Sequence, residues 1–210
     1  MPAGMAQIKS YFPTLIYRVD DAASLPLNSE LEVASLDLAS GDTAGLNWSA
    51  KHGYPGYTSY ASNSALPQLL PTFRKLERLI DRHAKAFATS LHWDIRGGKP
   101  VCDSMWVNVM AEGGSHSSHL HANAVISGTY YVSLPEGAGP IVFEDPRLAM
   151  LMAAPPRAAK APRNVQTYVS ETPKAGTLML WESWLRHQVP LNRAVGSRIS
   201  VSFNYVIGQK

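Results

Sequence analysis

At 210 residues and 45% hydrophobic content the chain is long enough for one full core and too short for two, so a single domain over 1–210 is expected. Fifteen Gly and fifteen Pro call for many turns, which suits a β-rich architecture better than a helical bundle, and the lone Cys102 excludes an internal disulfide or a thiolate-clustered metal site. A net charge of +3 rests on scattered basic residues, gathered only loosely at Arg157, Lys160, Arg163 and Lys174; with no membrane-length apolar run and no leader-like start, a soluble cytoplasmic protein is expected, with membrane and nucleic acid set aside as partners.

In chain order, 7–19 (QIKSYFPTLIYRV) reads as an edge strand, β-branched and aromatic with a proline in the middle. Ser29 to Ala39 reads as a short helix with Ser29 and Glu32 spaced as a capping box. Residues 41–64 lack periodicity and are rich in Gly, Ser, Asn, Trp and Tyr, which predicts a long loop or loosely paired strands. There Trp48, His52, Tyr54, Tyr57 and Tyr60 line a substrate entrance or simply pack over the core. Leu69, Leu70, Phe73, Leu76, Ile80, Phe87 and Leu91 share a helical face, predicting one long helix over 67–91 on the outside of a sheet, with His83 and His92 in structural roles.

After Lys99 the pattern becomes strand-like, at 102–110, 119–134, 140–144, 165–170, 176–182 and 197–207. The N-terminal 1–100 thus supplies a strand and helical support, and 101–210 forms the β core, a sandwich or barrel of antiparallel strands. An Ala/Pro-rich insert at 146–163 is too long for a hairpin turn and is expected to be a mobile flap near a cavity mouth, with a positive face at Arg157, Lys160 and Arg163.

The chemistry gathers in this second half. In SHSSHLHANAV, residues two apart on an extended strand face the same way about 7 Å apart, so His119 and His121 can aim at one point, while His116 reads as a supporting or surface residue. His187, near the end of a second apolar strand, is placed to be a third ligand. Imidazoles without thiolate suit Fe, Zn, Cu or Ni; equally, the pair can be polar residues bonded to neighbours. In RISVSFNYV, Arg198, Ser200, Ser202 and Asn204 share one face, which cannot be buried in a dry core and so must line a polar cavity. There Arg198 offers a planar fork for a carboxylate, and Ser200 can add a hydrogen bond.

The order His119-x-His121, a Pro173-to-Gly176 turn into an apolar strand, His187, then Arg198-x-Ser200 resembles the Fe(II)/2-oxoglutarate-dependent dioxygenase superfamily. WVNVMAEGGSHSSHLHANAVISGTYYV, PKAGTLMLWESWLRHQVPLN and RISVSFNYV look more closely like its bacterial and phage branch of 2OG-Fe(II) oxygenases, most densely over 104–207. The resemblance implies a double-stranded β-helix (jelly roll, cupin-like) core, mainly β with flanking helices and one long helix packed outside. It implies Fe(II) held by His119, His121 and His187, with Arg198 pairing the far carboxylate of the co-substrate 2-oxoglutarate. By the same resemblance Asn108 and Tyr131 also touch the co-substrate. The implied reaction is hydroxylation of an unidentified substrate, a small molecule or a protein side chain, by O₂, with release of succinate and CO₂; a homodimer is left open.

The chain departs from the superfamily at His121, where Asp or Glu is usual; Glu144 or Asp145 is left open as the source of an anion. Two other readings stand beside this one. Gly113 and His119-x-His121 match the start of a cupin motif, although Val125 and Ile126 occupy the place of its Glu and His187 lies too far from Gly176. A jelly roll that binds a metal or ligand without catalysis is the other.

Overall fold

The computed structural model describes residues 6–209; residues 1–5, where the leader reading began, and residue 210 lie outside the described residues. Among the described residues ten strands run in chain order: β1 (Ile16–Val19), β2 (Gly56–Thr58), β3 (Lys99–Met110), β4 (His116–His119), β5 (Ile126–Ser133), β6 (Ile141–Glu144), β7 (Tyr168–Glu171), β8 (Leu178–Glu182), β9 (His187–Val189) and β10 (Arg198–Gly208). Four helices precede the third strand or flank it: α1 (Leu25–Gly41), α2 (Thr43–Lys51), α3 (Leu66–Leu69) and α4 (Pro71–Ser90). The strands form a six-stranded sheet, β1-β8-β5-β10-β3-β2, and a four-stranded sheet, β4-β9-β6-β7, with antiparallel pairing between neighbouring strands. Among the described residues no helix is long and apolar enough to cross a membrane.

Period-two alternation makes the larger sheet two-faced. On β10, Ile199, Val201, Phe203 and Tyr205 enter a core with Leu31, Phe73, Leu76, Ile80 and Phe87 from the helices. β3 and β5 add Met105, Val107, Val109, Tyr130 and Val132 to that side. The helices therefore cover the outer face, and the inner face is left for the smaller sheet. A smaller apolar cluster joins the sheets there: Tyr131, Met179 and Trp181 from one, Ile141 and Phe143 from the other. In the middle of β5, a Cβ on Gly128 would sit 2.5 Å from the Met179 carbonyl oxygen and closer still to the Phe203 ring, so strand and ring approach through a gap that only glycine leaves.

Several elements differ from expectation. The edge strand is Ile16–Val19 alone; it does lie at a sheet edge, but 6–13 is exposed and unpaired, and Phe12 takes a left-handed φ of 59° just before Pro13. The first long helix begins at Leu25, capped by the Ser24 side chain with a proline in its first turn, which leaves Ser29 inside the helix. Residues 41–64 contain α2, started by the Asp42 side chain accepting from Gly45 N at 3.0 Å. The helix expected over 67–91 is two, parted at Leu70 because Pro71 has no N–H to continue the first. Leu69 is consequently exposed.

The run 119–134 is also two strands in different sheets. β4 ends at His119, the chain turns, and β5 starts at Ile126 in the larger sheet. The three-residue β9 escaped notice as a strand. The insert, with short 3-10 turns at Leu148–Met150 and Arg163–Val165, leaves β6 at the end where Phe143 is in register with His187. None of its residues lines the cavity described next; of the three basic residues expected to give it a positive face, Arg163 is tied to Glu171 while Arg157 and Lys160 are exposed.

Candidate metal and co-substrate site

Between the two sheets lies a cavity of about 760 Å³. His119 ends β4 directly opposite His187 on β9, while His121 sits in the turn beyond, its backbone N–H donating to Ser183 O at 3.0 Å. One ligand nitrogen from each of the three lies within 4.8 Å of the others, and their ring centroids are 4.4–5.3 Å apart. His119 and His121 thus aim together through a turn instead of along a continuous strand.

Each imidazole is held from behind. His119 Nδ1 is 2.7 Å from Ser117 O and His187 Nδ1 is 2.9 Å from Leu185 O, so in both the Nδ1–H donates to a carbonyl and Nε2 keeps its lone pair. His121 Nδ1 lies 2.5 Å from Asn204 Oδ1, with Ser127 Oγ at 3.0 Å, giving the same tautomer. Burial pushes the His121 pKa down and, with His119 adding to it, brings His187 down to about 3, so both are neutral at ordinary pH, the form that ligates a metal. The Trp181 ring packs edge-on against His187 at 4.8 Å.

At the other end of the cavity Arg198 is 2% exposed, and no acidic residue pairs with it among the described residues. Its Nη1 donates to Ser200 Oγ at 3.3 Å, its guanidinium lies 5.1 Å from the Tyr131 ring centroid, and its Nε has no partner. The Tyr131 hydroxyl and the Trp181 indole Nε1 are also buried without partners. These three atoms are the buried orphans among the described side chains, and all three residues line the cavity. Buried donors left unpaired are costly, and here they surround one space, which is the signature of a site built for an anionic acceptor.

Asn108 lines the same cavity but is already engaged: its Oδ1 accepts from Thr58 Oγ1 at 2.9 Å and its Nδ2 donates to Ser202 Oγ at 3.2 Å. Of the aromatic residues singled out in 41–64, Trp48, His52, Tyr54 and Tyr60 line the cavity, whereas Tyr57 is buried against the helices with its hydroxyl on Asp42. His116 lines it too, its Nε2 3.0 Å from the Tyr54 hydroxyl, and burial brings its pKa down to about 3. His83 bonds the Tyr17 hydroxyl and His92, just past the C-cap of α4, takes a left-handed φ of 54°, both outside the cavity.

Among the described residues no Asp or Glu lines the cavity. Glu144 faces Arg186 at 3.7 Å and Asp145 is held by Arg147 at 2.8 Å, so neither carboxylate left open above reaches the histidines. Sequence reasoning missed Trp181, Trp106 and the Asn204–Ser127 brace behind His121. For Asn204 the signal was present, since it shares the polar face of β10.

A metal and an anionic co-substrate fit this chain's own atoms: three imidazoles braced at Nδ1 with Nε2 left to ligate at one end, and a guanidinium and a phenol with unpaired polar atoms at the other. The fold matches solved structures across almost the whole chain. The epimerase SnoN in complex with Fe³⁺, alpha ketoglutarate and nogalamycin RO aligns over 92% of this chain and 79% of its own at 13% identity, TM-score 0.65. A Pseudomonas putida prolyl-4-hydroxylase aligns over 93% and 94% at 11% identity, TM-score 0.58. The viral collagen prolyl hydroxylase vCPH from Paramecium Bursaria Chlorella virus-1 aligns over 99% of each chain at 13% identity, TM-score 0.55. No curated protein sequence matches this one. The two antiparallel sheets with flanking helices are the double-stranded β-helix of these enzymes, and residues 104–204, just under half of the chain, match the family described as "Putative 2OG-Fe(II) oxygenase".

Proposed function

We propose that this chain is an iron(II)- and 2-oxoglutarate-dependent dioxygenase that hydroxylates a substrate with release of succinate and CO₂. The observation that carries the reading is the acid-free cavity in which three back-braced histidines face a buried, unpaired Arg198. His119, His121 and His187 hold the metal through Nε2, and Arg198 with Tyr131 holds the distal carboxylate of 2-oxoglutarate. Ser200 keeps the guanidinium in plane. Asn108, tied to Thr58 and Ser202, has one amide hydrogen and spare acceptor capacity left for the co-substrate.

When bound, iron with 2-oxoglutarate supplies the O₂ activation that oxidises a C–H bond as the co-substrate is decarboxylated. The protein positions both and keeps the site dry: Trp181, Phe143 and Ile141 close the wall behind His187, and Trp106 lies 5.9 Å from His121. With imidazole in place of carboxylate, the metal keeps its full charge, which strengthens its hold on anionic ligands and alters its O₂ chemistry.

The same feature supports a second reading, a protein that binds metal and 2-oxoglutarate without turnover. Anaerobic titration with Fe(II) and then 2-oxoglutarate, followed by O₂, separates the two. A weak visible charge-transfer band and O₂-dependent succinate are expected; the band without succinate selects the non-catalytic binder, and metal binding with no band selects a cupin-type site.

A further inference from the structure

We propose, building on the metal and co-substrate reading above, that the substrate is a small aromatic anion: a planar ring carrying an acidic group. A cavity of about 760 Å³ is of the size that encloses a drug-sized ligand. Its outer part is walled by rings already fixed against one another. Trp48 stacks on His52 with centroids 4.2 Å apart and planes 21° apart, braced by His52 Nδ1 at 2.8 Å from Trp48 O. Tyr60 meets Trp106 edge-on at 5.1 Å, and the Trp106 ring continues to His121. Tyr54 is fixed by His116. Flat surfaces held in place favour a flat partner by offset stacking, at little cost in side-chain order.

Charge selects among flat partners. Among the described residues Arg198 is the one Lys, Arg, Asp or Glu lining the cavity, and an imidazole that ligates a metal brings no charge of its own. A divalent ion adds two positive charges to that of Arg198, and doubly charged 2-oxoglutarate offsets two of the three. One positive charge remains where a carboxylate in the place of His121 would have left none. An uncompensated charge in a partly buried, acid-free cavity is unfavourable and projects a positive potential toward the mouth. A cation on the rings would gain about 2- to 30-fold in affinity from the π faces. At about 6 Å and an effective dielectric of 20 the residual charge would cost it about a hundredfold in affinity, and an anion gains that factor. The Coulomb effect therefore wins.

The test uses full-length protein loaded anaerobically with Zn(II) and saturating 2-oxoglutarate, with calorimetric titration of three probes: 1-naphthoate, 1-naphthylmethylamine as its ammonium, and cyclohexanecarboxylate. Naphthoate is expected to bind at least tenfold more tightly than either. Ser115→Asp, which puts a carboxylate on an exposed residue of the cavity wall, is expected to cut naphthoate affinity about tenfold and raise that of the ammonium, with 2-oxoglutarate kept at saturation for the variant. Trp48→Ala is expected to weaken naphthoate but leave cyclohexanecarboxylate alone. Equal or tighter binding of the ammonium overturns the charge argument, and equal binding of the saturated acid overturns the ring argument. Failure of Zn(II) or 2-oxoglutarate to load is read in the preceding titration and removes the oxygenase reading itself, whereas normal loading with the wrong probe order removes only this inference.

Discussion

Replacing Arg198 by Met separates a residue that holds an anion from one that holds the fold. In the free protein the guanidinium is 2% exposed, bonded only to Ser200 Oγ, with Nε unpaired. Exchanging a buried, poorly paired charge for an apolar side chain of similar length is commonly neutral or stabilising by about 1–4 kcal/mol. The ligand-free variant should therefore melt at or above the wild-type temperature. Co-substrate binding should move the other way. Loss of a desolvated guanidinium–carboxylate pair costs about 2–5 kcal/mol, and the lower figure is already about 30-fold in affinity. At 2-oxoglutarate a hundredfold above the wild-type Kd, binding stabilises wild type by about 2.7 kcal/mol and the variant by only about 0.9 kcal/mol. For a chain of this size each kcal/mol is about 2–4 °C, so the 2-oxoglutarate increment should fall from about 5–11 °C to about 2–4 °C. The assay is anaerobic thermal melting with Zn(II), with and without 2-oxoglutarate, and a Zn(II) titration that should be unchanged. A variant that loses several degrees without ligand yet keeps the full 2-oxoglutarate increment would show that Arg198 is a structural residue.

Trp181→Phe keeps a ring against His187 but removes the orphaned N–H together with part of a buried indole; 2-oxoglutarate affinity should fall about three- to tenfold alongside a loss of about 1–2 kcal/mol in stability, and an unaltered 2-oxoglutarate titration would take the indole out of the site. Gly128→Ala forces a methyl into the Met179 carbonyl and the Phe203 ring and should destabilise by about 1–3 kcal/mol or more, measured by urea unfolding. In metal-free protein, His116 and His187 stay neutral down to about pH 3, while their unfolded forms bind protons below about 6.5. Their contribution is thus complete above pH 6.5 and lost as pH falls toward 3, with a combined slope of up to about 2.7 kcal/mol per pH unit; unfolding free energies at pH 7.5 and 5 check it, and bound Zn(II) should add to the loss by being released.

Where one physical rule governed a segment, the sequence sufficed to place it. The alternation along 198–205 does put Arg198, Ser200, Ser202 and Asn204 into a cavity and Ile199, Val201, Phe203 and Tyr205 into the helix-side core. The amphipathic pattern after Pro71 gives α4 with Phe73, Leu76, Ile80 and Phe87 buried. Two rules compete elsewhere, and there the reading shifted. Ser29 and Glu32 fit a capping box, but Ser24 with Pro26 behind it starts the helix a turn earlier. The run from His119 to Ser133 is strand-like throughout, yet it serves two sheets and has to turn between them, and no local pattern distinguishes a long strand from two short ones of that kind.

The cavity is harder to read than the strands because its properties belong to distances no single segment contains. His-x-His and a distant His are visible as letters; that all three are braced at Nδ1 and so turn Nε2 to the cavity follows only once Ser117 O, Leu185 O and Asn204 Oδ1 are seen behind them. Trp181 reads as one more apolar residue of a core strand until its N–H proves to be buried beside Arg198 and Tyr131 without a partner. The missing carboxylate works in the opposite direction. At position 121 the sequence alone left room for a nearby acid, and the pairing of Glu144 with Arg186 and Asp145 with Arg147 spends both candidates elsewhere. That leaves the positive charge of the cavity to be met from outside the chain, by the co-substrate first and then by whatever enters past Trp48 and Tyr60.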